Sequence, residues 1–119
     1  MLYKEKTILV ETFGSSPVIR IIDFFLGNPL FDYSKEELIK NLGISKITFY
    51  KYFALLEINE ILKETRKVGK AKMYKLNEKN EVVKKLKELV WVLGIRAMEK
   101  AVEESKVAVA VKKIKMFHS

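Results

Sequence analysis

The chain has 119 residues, of which 49% are hydrophobic. That is enough for one small packed domain with an extension, and too apolar for general disorder. A net charge of +8 and a pI of about 9.6 favour an acidic partner, nucleic acid before anionic membrane, and the lack of cysteine excludes a disulfide scaffold, a thiolate metal site and a cysteine nucleophile.

Residues 1–13 start polar and then run Thr7-Ile8-Leu9-Val10, which reads equally as a strand or one helical turn. They are expected to form an N-terminal arm. The stretch MLYKEKTILVETF lacks the apolar core and cleavage site of a signal peptide. The longest apolar runs, such as Val107 to Val111, fall far short of the ~20 residues that a membrane span needs. A cytoplasmic protein with no membrane partner is the expectation.

Gly14-Ser15-Ser16-Pro17 breaks the chain and starts a helix, with Ser16 as cap and Pro17 in the first helical position. Val18, Ile21, Ile22, Phe25 and Leu26 form its apolar stripe, and Gly27-Asn28-Pro29 ends it. Phe31 and Tyr33 are expected to pin this helix to the next one. Ser34 and Glu37 then make a capping box, Leu38, Ile39 and Leu42 give an apolar face, and Gly43 stops the helix. Ile44 plugs the turn.

Ser45 caps a further helix, on which Phe49, Phe53 and Leu56 recur at the spacing of a buried stripe. Its other face carries Lys46, Thr48, Lys51 and Tyr52. Lysine can donate to guanine O6 and N7, and the threonine methyl can meet a thymine methyl. Ile47 lies at the front of this helix, to touch a base or to pack under the turn. Tyr50 has a hydroxyl for a phosphate or a ring for the neighbouring helix. The hydroxyl of Ser45 and the helix N–H groups beside it also suit a phosphate. The plain alternatives are a helix cap for Ser45 and a solvated face for the cations.

Ile61, Leu62 and Thr65 begin a strand, Lys67-Val68-Gly69-Lys70 turns, and Lys72 to Leu76 returns with Tyr74 and Leu76 on one face. Arg66, Lys67, Lys70 and Lys72 cluster at the tip with no acid among them. A tight helix–turn–helix that buries one face and offers cations on the other suits a DNA major groove. A basic hairpin directly after it makes the fold class mostly α with a small β-hairpin wing, a winged helix-turn-helix spanning residues 14–77.

Here SKEELIKNLGISKITFYKYFALLE followed by EILKETRKVGKAKMYKL resembles the winged helix-turn-helix regulators of archaea and bacteria, the broad MarR/ArsR-like group. The likeness is nearest to small archaeal regulators that open with a phrase like FGSSPVIRIIDFFL. It runs from about Phe13 to Leu93. It implies that Ser45, Lys46, Ile47, Thr48, Tyr50, Lys51 and Tyr52 read or hold DNA, and that Arg66, Lys67, Lys70 and Lys72 lie on the backbone or in the minor groove. That family usually has glycine where Glu60 stands, so Asn59 is expected to end the recognition helix in its place.

Residues 78–119 are expected to form a C-terminal helical dimerisation extension with a basic tail. Asn77 caps a helix over Glu78 to Leu93, with Val82, Val83, Leu86, Leu89, Val90 and Leu93 along one face. That stripe either folds back on its own domain or pairs with a twin. A homodimer is expected, through Val83, Leu86, Val90, Trp91, Leu93 and Ala97, because two linked half-site readers gain effective concentration on a palindrome. Gly94 interrupts at a cost of ~1 kcal/mol. Helix resumes over Ile95 to Glu104, and VAVAV at 107–111 is open between strand and helix.

Charge follows this organisation: residues 1–33 carry −1, residues 34–77 carry +5 and residues 78–119 carry +4. No metal-ligand spacing, nucleophile–base pair or glycine-rich phosphate loop is visible, and His118 stands alone. Glu36 and Glu37 point apart on a helix. No enzyme, cofactor or small-molecule effector is therefore expected. The expected function is a sequence-specific regulator on double-stranded DNA, a repressor by promoter occupancy. The alternative is a winged-helix adaptor in a transcription or replication assembly. RNA binding ranks last, since the outward face has more lysine and threonine than stacking aromatics.

Overall fold

Side-chain caps set where the helices of this chain begin. In the computed structural model, which describes residues 7–118 with side chains through 116, Thr7 caps α1 (Ile8–Phe13) and Ser16 caps α2 (Pro17–Gly27). Ser34 caps α3 (Lys35–Leu42) through the full capping box: its Oγ accepts from the Glu37 N–H at 3.1 Å, and the Glu37 carboxylate accepts from the Ser34 N–H at 3.2 Å. Ser45 caps α4 (Lys46–Ile58). Gly43 ends α3 at φ 64°, a left-handed conformation that lets the chain turn at once into α4. The remaining elements are β1 (Leu62–Val68), β2 (Ala71–Leu76) and α5 (Glu81–His118). The chain is thus mostly helical, with a two-stranded antiparallel hairpin and a long C-terminal helix. Within the described residues no helix is long and apolar enough to cross a membrane.

The core forms where α2, α3, α4 and the hairpin meet. Ile21, Leu38, Phe49 and Phe53 are fully buried there, as the stripes on their helices require. The Tyr74 ring meets Phe53 edge-on at 4.9 Å, and Phe24 meets Tyr33 edge-on at 4.8 Å. Tyr33 and Tyr74 also pair through their backbones, with N···O distances of 3.0 and 2.9 Å. Tyr33 thereby ties the α2–α3 connection to β2. Phe31, expected to share that task, is 63% exposed. The Arg20 guanidinium donates to the Leu42 carbonyl and links α2 to the end of α3.

Residues 8–13 resolve the strand-or-helix question as helix. Leu9 is fully buried in the core, and Thr7 donates to Asp23 at 2.8 Å, so this segment packs on α2 and does not stand apart as an arm. Residues 1–6 of the expected arm and the His118 side chain lie outside the described residues.

α4 ends at Asn59, as expected, with its left-handed residue one position later. Asn59 is the C-cap at φ −83°, and Glu60 takes the left-handed conformation at φ 57°. The Glu60 N–H donates to the Glu57 carbonyl and the Ile61 N–H to the Leu56 carbonyl, the paired bonds of a Schellman motif. A side chain in that conformation costs roughly 1–2 kcal/mol. Two asparagines hold it there: Asn77 and Asn80 both donate to the Glu60 carbonyl, at 3.0 and 2.9 Å, and Asn80 also reaches the Asn59 carbonyl at 3.1 Å. Asn80, not Asn77, caps α5, accepting from the Val82 N–H at 2.7 Å.

The hairpin has a two-residue loop, Gly69-Lys70, with Gly69 at φ 61°. Lys67 and Val68, expected in the turn, belong to β1. A bulge at Thr65 shifts the register between Glu64↔Tyr74 and Arg66↔Met73.

α5 runs unbroken through Gly94 and through VAVAV. A lone glycine costs ~1 kcal/mol, which its lysine-, glutamate- and leucine-rich neighbours tolerate. The described residues offer the VAVAV segment no strand partner, and a helix satisfies its backbone internally. At 38 residues α5 is ~57 Å long, which accounts for the 70 Å long dimension of the molecule. Val83 is fully buried and belongs to the core, so it cannot serve the interface between copies expected of it; Leu86 and Val90 are half-buried against the same core.

Replacing Glu60 with glycine removes the steric cost while keeping every backbone bond of the motif. Glu60→Gly should raise the Tm in calorimetry by a few degrees, about 1 kcal/mol. An unchanged or lower Tm would mean that the conformation is not strained.

Candidate nucleic-acid interface

α4 has one buried side, one outward side and two flanks. Ile47, Lys51, Ala54 and Ile58 fall on the outward side, opposite Phe49 and Phe53. Ile47 is 86% exposed, so it projects and does not pack under the turn. Lys46 and Lys51 are exposed, and Thr48 is half-buried. The Ser45 Oγ accepts from the Thr48 N–H at 3.3 Å and donates to the Thr48 Oγ at 3.0 Å, so both hydroxyls are engaged at the head of the helix. Tyr52 departs from expectation. It sits beside the buried stripe, and its ring packs against the core. What it offers the outward side is a surface under Lys51, whose Nζ lies 5.4 Å from the ring centre.

The other flank faces the hairpin. Tyr50, Lys70, Lys72 and Tyr74 line one hollow of about 320 Å³ together with Ser34, Lys35 and Glu36 at the head of α3. The structure therefore brings one expected α4 residue, Tyr50, next to two of the expected hairpin cations. Lys46, Thr48 and Lys51 do not line this hollow; they lie further round α4 and toward its head.

Lys35 is a member of this site that the sequence did not reveal. Its Nζ lies 5.0 Å from the Phe53 ring centre, 5.6 Å from Tyr74 and 5.7 Å from Tyr50, and 3.5 Å from a Glu57 carboxylate oxygen. It follows a serine cap directly, where a basic residue is no special signal. Its surroundings come from α4 and β2, so no local pattern announces them. The Tyr74 hydroxyl beside this cluster is pushed to a higher pKa, by burial first and then by Glu57 and Glu64.

The hairpin cations divide into two kinds. Lys67, Lys70 and Lys72 are exposed. Arg66, expected to meet a phosphate, instead holds Asp32 in a two-pronged pair, Nε to Oδ2 at 2.9 Å and Nη2 to Oδ1 at 3.0 Å. The bulge residue Thr65 donates to the same carboxylate at 2.7 Å. The bulge thus turns two consecutive side chains, Thr65 and Arg66, onto one acid of the α2–α3 connection. The two hydrogen bonds, Arg66 first and Thr65 second, hold the Asp32 carboxyl at a pKa of about 2.

Among the described residues, no group of three or more histidines or acids could hold a metal ion. Of the residues expected between copies, Leu93 and Ala97 border a hollow facing Ile8 and Glu11 of α1, whereas Trp91 is 71% exposed. No protein-family model matches the chain, and no curated protein or solved structure matches it.

The Asp32 clamp has a pH signature. Its carboxyl titrates lower in the folded chain than its ordinary value of 3.8, so its stabilisation is complete above that value and is lost as pH falls through about 2. Asp32→Asn should lower the Tm at pH 5 and leave a shallower fall in Tm between pH 5 and pH 2 than the wild type shows. Parallel curves for the two proteins would exclude the clamp as the source.

Proposed function

We propose that this chain is a winged helix-turn-helix protein that binds double-stranded DNA and regulates transcription by occupying a promoter. In this reading α4 enters the major groove with Lys46, Ile47, Thr48 and Lys51 foremost. The hairpin is the wing, and Lys67, Lys70 and Lys72 follow the phosphate backbone. One observation carries the reading: Tyr50 of α4 and Lys70 and Lys72 of the hairpin border one hollow, so a flank of the groove-entering helix adjoins the backbone-holding groups. Support also comes from charge, since residues 34–77, which form α3, α4 and the hairpin, carry +5. Ser45 and Lys46 place a capped helix start and a cation where a phosphate is best received.

The roles within this surface differ by chemistry. Lys51 and Ile47 sit centrally on the outward side of α4, where side chains meet base edges and thymine methyls. The hairpin lysines carry no sequence information; they set register and orientation. Arg66 acts one step back, fixing the hairpin to the α2–α3 connection through Asp32.

A second reading rests on a specific feature. Ile47, Leu55 and Ile58 are all exposed on α4, which gives this helix apolar surface for a protein partner. An adaptor would bury these three residues and use the lysines only at its rim.

Salt separates the two. Anisotropy titrations with a duplex from the gene's own upstream region should show affinity falling steeply with salt, with a log–log slope of about −0.9 for each phosphate contact. Lys70→Ala and Lys72→Ala should each make that slope shallower by about 0.9 and weaken native and shuffled duplexes alike. Lys51→Ala should cost ~1–3 kcal/mol on the native duplex and less on the shuffled one. Binding that ignores sequence, strand and these substitutions would favour the adaptor.

A further inference from the structure

From Ile95 onward every described side chain of α5 is exposed, through Met116. The last part of this stretch has its own chemistry. Residues 105–116 hold Lys106, Lys112, Lys113 and Lys115 and no acid, net +4. Among the described residues these lysines form no ion pair. Their charge is left for a partner outside the chain.

The same residues carry an apolar stripe. Val107, Ala110, Val111 and Ile114 recur at i, i+3, i+4 and i+7, so they share one side of the helix within ~100° of arc. Val107 is 55% exposed and Ile114 57%. Glu103, on the same line one turn earlier, ends the stripe. Lys106 and Lys115 flank it at ~90° on either side, and Lys112 and Lys113 lie further round, behind it. Valine is a weak helix former, and helical stability in proteins comes mostly from packing an apolar face. Cover for this stripe would therefore steady the segment as well as bind it.

Stripe and charge together select the occupant. A nucleic acid would take the lysines and leave the stripe bare, because phosphate contacts are electrostatic. An anionic lipid surface takes both. The valines and the isoleucine enter the boundary of the acyl chains, while the flanking lysines lay their alkyl stems beside them and keep their ammonium groups among the headgroups. A cluster of four lysines on an amphipathic helix suits acidic headgroups. No described helix is long and apolar enough to cross a membrane, so the segment would lie on the surface.

We infer that residues 105–116 of α5 dock the chain on an anionic lipid surface, with the Val107–Ile114 stripe at the acyl boundary and the four lysines among the phosphate headgroups. Both signals are needed. The stripe is short and built of small side chains, and attraction by exposed lysines alone is screened by salt. This inference stands apart from the DNA reading, since no residue of α4 or the hairpin enters it.

Co-sedimentation of the full chain with vesicles tests it. The chain should pellet with vesicles of phosphatidylglycerol and phosphatidylcholine and stay in the supernatant with phosphatidylcholine alone. Lys112→Ala combined with Lys113→Ala should weaken the partition roughly thirtyfold. Val111→Glu and Val109→Glu change the charge equally, but Val109 lies on the far side of the helix from the stripe. Val111→Glu should therefore weaken the partition about tenfold more than Val109→Glu. Thermal unfolding of the body should persist in every variant, since these side chains are exposed. Failure to pellet with the acidic vesicles, equal pelleting with the neutral ones, or equal losses from Val109→Glu and Val111→Glu would each overturn the inference. So would a lysine variant that loses affinity for a DNA duplex and keeps its affinity for vesicles, which would make nucleic acid the partner of this segment.

Discussion

The placement of Tyr74 is the constraint on which the rest of this structure depends. Its ring fills the space against Phe53 of α4, its backbone pairs with Tyr33, and its strand partner is Glu64 of β1. One residue thus fixes the hairpin to α4 and to the α2–α3 connection together. Lys35 closes the same knot from α3, lying between the rings of Tyr50, Phe53 and Tyr74 and the carboxylate of Glu57. The geometry of the proposed interface is a consequence. The hairpin lysines adjoin α4 because Tyr74 cannot move without opening the core.

Around that knot, polar contacts settle what apolar packing leaves free. A hairpin held only at its base would swing. The clamp of Asp32 on Thr65 and Arg66 restrains it further along β1, and the bulge is what aims those two side chains. At the other end of the hairpin, Asn77 and Asn80 bind the carbonyls that close α4 and set where α5 departs. Both devices join segments distant in sequence. Both act on the elements that the proposed function uses, and neither lies on its contact surface.

The sequence was most legible where structure is local. Ser16, Ser34, Ser45 and Gly43 announced helix ends through chemistry complete within four residues, and the Phe49–Phe53–Leu56 stripe announced its burial by spacing alone. It was least legible where distant groups decide. Glu60 gives no sign of its left-handed backbone, because the asparagines that hold it there lie 17 and 20 residues on. Arg66 reads as one more cation of the hairpin until Asp32, 34 residues earlier, is placed beside it. Tyr52, three residues after Phe49 and four before Leu56, lies beside the buried stripe on a helical wheel, and reading it as outward overlooks the width of the core. Gly94 suggested an interruption and VAVAV left strand and helix open, yet a local cost of ~1 kcal/mol is small beside the backbone bonds that a continuous helix keeps.

Residue-resolved NMR distinguishes the proposed DNA-facing surface of α4 and the hairpin from every other basic part of the chain. Amide spectra would be recorded for the labelled chain with and without a short duplex from the upstream region of its gene. Shifts should concentrate at residues 45–51 and 67–72, with α1 and the distal half of α5 unmoved. Shifts confined to α5, or spread evenly over all the lysine-bearing segments, would contradict it.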